Sequence, residues 1–264
     1  RFFKRLLKNQ MSAILEICTD RLLHDLNDFE FDEGYIDSGG FGKIKRGKIK
    51  VTGQEVVYKA PKSSNILEIN ALIQEYNILC QCRHPLVLLV IGFYHPDKSN
   101  EYGLITPYCE SGSLANYIPR NETLGTNLVL KIIAGIAFGM KYIHEQNISH
   151  RDLKPANVLI GKDNSPIIID FGLSREYINY MHSQVGTPLY AAPEIIKNEE
   201  YTNKVDVYSY GLLVNELYSG HIPFTGLTRK DFFNEKCNKQ FIISDKVPSS
   251  IKPLIELCVR LNPS

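Results

Sequence analysis

The chain changes its hydrophobic pattern near residue 110, and this change constrains the fold more than any other feature. Between residues 29 and 62, short alternating runs such as GKIKRGKIK and EVVYKA are punctuated by glycines, which is typical of antiparallel strands joined by tight turns. Further strands are expected at 87–94 and 102–106. After CESGS, apolar residues recur mainly at helical spacing, with helices expected at 113–118, 128–145, 204–218 and 228–238. The predicted class is α+β, with a small β-rich N-lobe at 29–106, a hinge at 107–112 and a larger, mainly helical C-lobe at 113–264.

Residues 1–28 carry a different pattern. Apolar residues such as Leu7, Ile14 and Leu22 recur at steps that place them on one face of a helix. We therefore expect an amphipathic N-terminal helix that lies on the domain after it. The basic residues at its start are interpreted as a solvated helix end, in preference to a contact with an anionic membrane surface or a position just after a transmembrane span.

Composition excludes some classes of protein. The 264 residues carry 30 Lys and Arg against 29 Asp and Glu, so the net charge argues against nucleic-acid binding through an overall positive field. Six scattered cysteines without a C-x-x-C spacing indicate reduced thiols in the cytosol. The longest apolar run, LVLLVIGF, is too short to cross a bilayer. We expect no membrane span in this chain, and the hypothesis that it is the cytosolic part of a larger or membrane-attached protein stays open.

Two features of the N-lobe point to an anion. Residues 36–44 read IDSGGFGKI between two predicted strands, and such glycines allow backbone N–H groups to approach a phosphate closely, although a simple turn explains them equally well. Lys59 lies inside the strand EVVYKA. A solvent-facing lysine is the common case there, so a functional role requires a buried carboxylate partner, for which Glu68 and Glu75 are available.

Two motifs of the C-lobe carry oxygen ligands and a proton acceptor. In HRDLKPAN, the carboxylate of Asp152 and the amide of Asn157 are five residues apart in a loop, with Lys154 between them. A carboxylate beside a hydroxyl accepts its proton, and an amide oxygen suits magnesium. In IIIDFG, Asp170 ends a short apolar strand, where a carboxylate is costly unless it meets a cation.

Taken together and in order, these motifs resemble those of the eukaryotic protein kinase domain over residues 31–264: glycine-rich loop, strand lysine, HRD, DFG and APE. The resemblance implies the bilobal protein kinase fold, truncated at its C terminus. It also implies ATP and Mg²⁺ as cofactors and proteins bearing Ser or Thr as substrates. HRDLKPAN and GTPLYAAPE are similar to serine/threonine kinases, and DVYSYG to their tyrosine-kinase-like branch.

The resemblance also assigns roles to single residues. Lys59, with Glu75 as its partner in preference to Glu68, is implied to hold the α- and β-phosphates of ATP. Asp152 is the implied base and Lys154 the residue that steadies the γ-phosphate. Asn157 and Asp170 are the implied metal ligands. ATP contact is implied for Ile36, Asp37, Ser38, Gly39, Gly40, Phe41, Gly42, Lys43, Ile44, Val57, Lys59, Thr106, Tyr108, Cys109 and Leu159.

Regulation follows from the same resemblance. Arg151 is implied to meet a phosphate on the segment between DFG and APE, where Ser183 is the favoured phosphosite. Thr187 resembles the residue that bonds Asp152 and Lys154. Two positions depart from the family pattern, because Asp37 replaces the first loop glycine and Val57 a common alanine. These departures keep open a second hypothesis, a pseudokinase-like nucleotide-binding scaffold or regulatory module, beside the favoured one of an active kinase.

Overall fold

The chain folds into two compact units. A computed structural model describes residues 16–35, 42–96, 100–118, 124–171 and 188–262. The first unit is Arg1–Tyr108 and the second is Cys109–Ser264, so the boundary lies within the predicted hinge at 107–112. The first unit is rich in strands and the second in helices, which confirms the predicted α+β class.

A six-stranded sheet organises the first unit, in the order β1-β5-β6-β4-β3-β2. All neighbours are antiparallel except β1 and β5, which are parallel. The alternating sequence of β4 places Val56 in the core, while its hydrogen bonds to β3 and β6 make it a central strand. The strands are β1 Leu22–Leu23, β2 Phe29–Phe31, β3 Lys43–Ile49, β4 Glu55–Ala60, β5 Gly92–Tyr94 and β6 Gly103–Pro107.

Helix α1, Ile66–Gln81, is the described helix of the first unit. Its N-cap is Asn65, whose side-chain oxygen accepts a hydrogen bond from the amide of Leu67 at 2.9 Å. Apolar residues at helical spacing form its buried face, and the ring of Tyr76 stacks on that of Phe93 in β5 with centroids 4.5 Å apart. This face holds the helix to the sheet and sets the rotation of its other side chains.

The predicted helix over residues 1–28 is wrong for the part that the structure describes. Residues 16–21 and 24–28 are irregular, and Leu22–Leu23 is strand β1, paired with β5. The amide of Cys18 donates to Asn77 Oδ1 at 2.8 Å, and Asn77 Nδ2 donates to the carbonyl of Glu16 at 2.8 Å. These tertiary hydrogen bonds and the pairing with β5 give backbone N–H and C=O groups of this segment partners outside the segment. The segment therefore does not need to form a helix to pair them, despite its helical spacing of apolar residues. Residues 1–15 lie outside the described residues.

The second unit is built around helix α5, Lys204–Ser219, which is buried over most of its length. Helix α3, Thr126–Glu145, is by its length and composition alone able to cross a membrane. Its residues Val129, Ile132 and Ile136 are buried in the core of the unit, and core helices often have the same length and composition. The remaining elements are α2 Leu114–Tyr117, a 3₁₀ turn Pro155–Asn157, the hairpin β7 Val158–Ile160 and β8 Pro166–Ile168, α4 Pro193–Lys197, α6 Arg229–Asn238 and α7 Lys252–Cys258.

Helices α5 and α7 approach each other closely at Gly211. A Cβ atom at this position would lie 2.6 Å from Cys258 Cβ and 2.7 Å from Val259 Cγ1. These are atoms of short side chains that cannot swing away, so the contact requires a residue without a side chain.

We therefore predict that Gly211→Ala lowers the free energy of unfolding by about 1–3 kcal/mol, because the added methyl group forces α5 and α7 apart. Urea denaturation followed by circular dichroism measures this loss. Gly125→Ala is the matched control, because its Cβ would meet nothing within 4 Å. Equal midpoints for the two variants would show that this packing contact is not tight.

Candidate active site

The first unit places the predicted lysine and glutamate in contact. Lys59 lies on β4 and Glu75 on α1, and Lys59 Nζ is 2.7 Å from Glu75 Oε2. The two side chains are 18% and 4% exposed, so the pair is largely shielded from water. Glu68, the alternative partner, instead accepts hydrogen bonds from the backbone N–H and hydroxyl of Ser63 at 2.9 and 3.1 Å. The pairing expected from the sequence is therefore present, and the role of Lys59 in phosphate binding stays a prediction.

The strands beside Lys59 carry several of the predicted ATP-contacting residues. In the sheet register, Ile44 of β3 lies opposite Lys59, and Val57 of β4 lies opposite Thr106 of β6. Thr106 is buried. Lys43 starts β3, opposite Ala60.

Gly42, at the end of the predicted phosphate loop, needs to be glycine. Its φ angle is +106°, and a Cβ atom there would lie 2.5 Å from the carbonyl oxygen of Ala60. The other loop residues, Ile36, Asp37, Ser38, Gly39, Gly40 and Phe41, lie outside the described residues.

The predicted hinge residues fall on both sides of the unit boundary. The amide of Tyr108 donates to the carbonyl of Glu55 at 3.1 Å, and the guanidinium carbon of Arg46 lies 4.3 Å from the Tyr108 ring centroid. Cys109 starts the second unit as a half-buried free thiol, and burial raises its pKa. Leu159, in β7 of the second unit, bridges to Ser113.

The second unit brings three of the predicted catalytic-loop residues together. The Asp152 carboxylate oxygen Oδ2 accepts a hydrogen bond from Lys154 Nζ at 2.5 Å and another from Asn157 Nδ2 at 2.8 Å. The 3₁₀ turn at Pro155–Asn157 brings Asn157 back towards Asp152. Burial raises the pKa of the Asp152 carboxyl group, and the positive charge of Lys154 opposes this rise. Two donors therefore hold this carboxylate in one orientation.

An oxygen of Asn157 beside Asp152 lacks a partner. Asn157 Oδ1 is buried and accepts no hydrogen bond from any described residue. The backbone carbonyl of Asn157 accepts from the amide of Ile169 at 3.0 Å. This bond ties the turn to the residue before Asp170, whose charge raises the pKa of Asp152. Leaving a polar oxygen buried and unpaired is costly unless a cation or donor arrives.

The donor set fits a hard divalent cation in part. The amide oxygen of Asn157 and the carboxylate of Asp170 are the oxygen ligands that Mg²⁺ takes. Within the described residues, no cluster of three or more His, Cys, Asp or Glu side chains forms a metal site. Such a two-ligand set suits an ion that takes its other ligands from phosphate oxygens and water.

Arg151, the predicted phosphate-binding arginine, has a strained backbone conformation. Its φ angle is +68°, and its Nε atom is buried with no hydrogen-bond partner among the described residues. Its guanidinium carbon lies 5.8 Å from the ring centroid of Tyr201. A buried N–H without an acceptor fits a group that receives an anion, and this role stays a prediction. Ser183 and Thr187 lie outside the described residues.

Sequence reasoning missed the role of Asp206 on helix α5. Its carboxylate accepts from the amides of His150 and Arg151 at 2.8 and 2.7 Å and hydrogen-bonds His144 Nε2 at 2.9 Å. Asp206 is 1% exposed, and it fixes the start of the loop that carries Asp152. The available signal was an acidic residue between Val205 and Val207, two apolar neighbours in the predicted helix, where a buried carboxylate needs several donors.

Comparison with known proteins identifies the family. Residues 32–264 match the protein kinase domain. The chain is 32% identical to calcium-dependent protein kinase 5 of Plasmodium berghei over 89% of its own length and 43% of that protein. It is 34% identical to serine/threonine-protein kinase TNNI3K of Mus musculus over 76% of its length and 25% of that protein.

A third relative is serine/threonine-protein kinase RAD53 of Saccharomyces cerevisiae, which is 28% identical over 87% of this chain and 31% of that protein. The chain spans between 12% and 43% of the length of the curated relatives it matches. The prediction of a serine/threonine-type kinase domain is confirmed by these matches. With its match over residues 32–264 and its ordered motifs, this chain belongs to the protein kinase domain family.

Proposed function

We propose that this protein transfers the γ-phosphate of ATP to serine or threonine hydroxyls of proteins with the help of Mg²⁺. Use of ATP and a divalent metal is general to the family that the chain matches, and Mg²⁺ is the specific ion of the proposal. The observation that carries it is the Asp152 carboxylate, held by two donors beside the unpartnered buried oxygen of Asn157. One group accepts a proton and the other accepts a cation, and phosphoryl transfer needs both.

Asp152 orients the acceptor hydroxyl and takes its proton. Its Oδ2 atom already accepts from Lys154 and Asn157, so Oδ1 is the oxygen that these bonds leave for the substrate hydroxyl. Burial raises the pKa of this carboxyl group, which makes the carboxylate a stronger base than an exposed aspartate. The backbone bonds to Asp206 keep it in place during the transfer.

Lys154 and Lys59 supply positive charge to the phosphates. Lys154 Nζ lies 2.5 Å from Asp152, so it stands next to the position of the attacking oxygen. Lys59 is oriented by Glu75. Breaking a largely buried ion pair leaves an uncompensated charge, so the pair favours one position of α1 on its sheet.

Asn157 and Asp170 would hold the metal. Bound Mg²⁺ neutralises charge on the phosphate oxygens and orients them. Asn157 Nδ2 donates to both the carbonyl and carboxylate of Asp152, so its amide group is locked with Oδ1 on the opposite side. This orientation prepares Oδ1 for a cation without any change of rotamer.

Partners and location complete the proposal. Protein substrates bearing Ser or Thr are proposed because curated relatives are named serine/threonine-protein kinases and GTPLYAAPE resembles that type. A cytosolic location is proposed because all six cysteines are free thiols, which suits a reducing compartment. Flanking membrane or interaction domains are proposed for the whole protein, since the chain covers only part of its relatives.

The central test is the substitution Asp152→Asn. Asparagine keeps the shape but accepts no proton, so transfer of labelled γ-phosphate to a generic acceptor protein should fall by about 100-fold or more. Asp245→Asn, at a fully exposed carboxylate, is the matched control and should keep wild-type activity. If wild type and Asp152→Asn are equally inactive while ATP still raises the melting temperature, the nucleotide-binding scaffold is the correct function.

A pH profile tests the base directly. Because the charge of Lys154 opposes the burial-driven rise in the pKa of Asp152, Lys154→Met should raise that pKa further. Only the unprotonated carboxylate accepts a proton, so activity is lost as pH falls through this pKa. The acid limb of kcat/KM should therefore move to higher pH. The exposed Lys162→Met should leave the limb unchanged, and a shift to lower pH in Lys154→Met would contradict the assigned role.

The metal site predicts a separate result. EDTA should abolish transfer and Mg²⁺ should restore it. In Asn157→Leu, which removes the amide oxygen at similar size, the Mg²⁺ concentration for half-maximal stabilisation by ATP should rise about tenfold or more. Thermal shift titrations measure this concentration independently of activity, with the exposed Asn116→Leu as control. An unchanged Mg²⁺ requirement would remove Asn157 from the metal site.

A further inference from the structure

A lysine is fully buried in the second unit. Lys236, on helix α6, is 0% exposed, and its Nζ atom donates a 2.6 Å hydrogen bond to the backbone carbonyl of Leu189. Three aromatic rings surround the amino group, with centroids at 4.2 Å for Phe224, 5.2 Å for Tyr208 and 5.5 Å for Phe232. A lysine is almost never found in such a position without a specific partner.

Stability alone does not explain this residue. Burial lowers the pKa of Lys236 well below its ordinary value, and it forms no ion pair with a carboxylate of the described residues. An apolar side chain of the same length would fill the aromatic cage without a charge to desolvate. What lysine adds is an N–H donor, present in both the ammonium and the neutral amine, for the Leu189 carbonyl.

The bond fixes one short stretch of chain. Residues 188–192, here called the 188–192 segment, lie directly before helix α4. The hydroxyl of Ser209 is shared between the carbonyl of Tyr190 at 2.9 Å and the carbonyl of Val205, in its own helix, at 3.0 Å. The Tyr190 hydroxyl donates to the Glu216 carboxylate. Lys236 and two residues of α5 therefore hold consecutive residues of this segment in place.

The same helix holds the catalytic loop. Asp206, which binds the amides of His150 and Arg151, precedes Ser209 by one turn of α5, so both project from one side of the helix. Tyr208, between them, forms part of the cage around Lys236. The 188–192 segment and the loop of Asp152 are thus positioned by one rigid helix.

We propose that Lys236 is a positioning residue for the protein substrate: by holding the Leu189 carbonyl, it fixes the half-buried residues 188–190 of this segment, along which the acceptor chain is aligned with Asp152. This inference rests on the proposed kinase function. Lys236 touches neither substrate nor ATP in this proposal, and it acts through the backbone of the segment. Its loss should therefore affect binding of the acceptor and leave the binding of ATP unchanged.

The experiment compares Lys236→Met with Lys239→Met. Methionine keeps the length and the apolar packing but removes the donor, whereas Lys239 is an exposed residue paired with Glu235. We expect Lys236→Met to unfold at the same urea concentration as wild type or higher. Its KM for an acceptor peptide should rise about tenfold, with an unchanged KM for ATP, and amides 189–192 should exchange with deuterium faster. Lys239→Met should match wild type in every measurement.

Ser209→Ala provides a second variant, since it removes the other side-chain donor to the same segment. It should also raise the KM for the peptide while leaving the KM for ATP unchanged. If Lys236→Met fails to fold, Ser209→Ala therefore still tests the inference. Unchanged peptide KM or unchanged amide exchange in folded Lys236→Met would overturn the inference while the kinase function stands. A wild-type protein as inactive as Asp152→Asn would overturn the kinase function and, with it, this inference.

Discussion

The buried carboxylate of Asp206 is the interaction on which the candidate active site depends. A carboxylate at 1% exposure is costly, and three donors from His144, His150 and Arg151 offset that cost. The carboxylate also accepts a hydrogen bond from the amide of Arg151, whose φ angle is +68°. A non-glycine residue keeps this conformation only when its surroundings impose it. The bonds at the start of the loop thus set where Asp152 can lie.

Each unit uses a buried charge to select one arrangement. In the first unit the Lys59–Glu75 pair connects a central strand to α1, and in the second Asp206 connects α5 to the catalytic loop and Lys236 connects α6 to the 188–192 segment. Such groups add little stability compared with apolar packing, because desolvation offsets most of the attraction. They do penalise any arrangement that leaves them unpaired, and precise positioning is what phosphoryl transfer requires.

Much of the fold and the site could be predicted, for identifiable reasons. Helices α3, α5 and α6 were expected because their apolar spacing is long and regular, and Lys59, Glu75, Asp152 and Asn157 because they stand in ordered motifs. The N-terminal helix was predicted wrongly over 16–28, since hydrogen bonds to Asn77 and β5 took the place of helical ones. Asp206 and Lys236 as positioning residues were missed, because neither charge reveals its buried partner in the sequence.

Residue type, order and spacing were enough to predict the family, the α+β division near residue 110 and the groups able to bind phosphate, metal and a proton. The family resemblance implied the Glu75 partner of Lys59, and the two side chains are in contact. The folded chain was needed to show that Asn157 keeps a buried oxygen without a partner among the described residues, and that Asp206 and Lys236 hold backbone atoms far along the chain. The physical reason is that the pairing of buried polar groups is set by packing across the fold, and local sequence does not record which distant donor or acceptor becomes the neighbour.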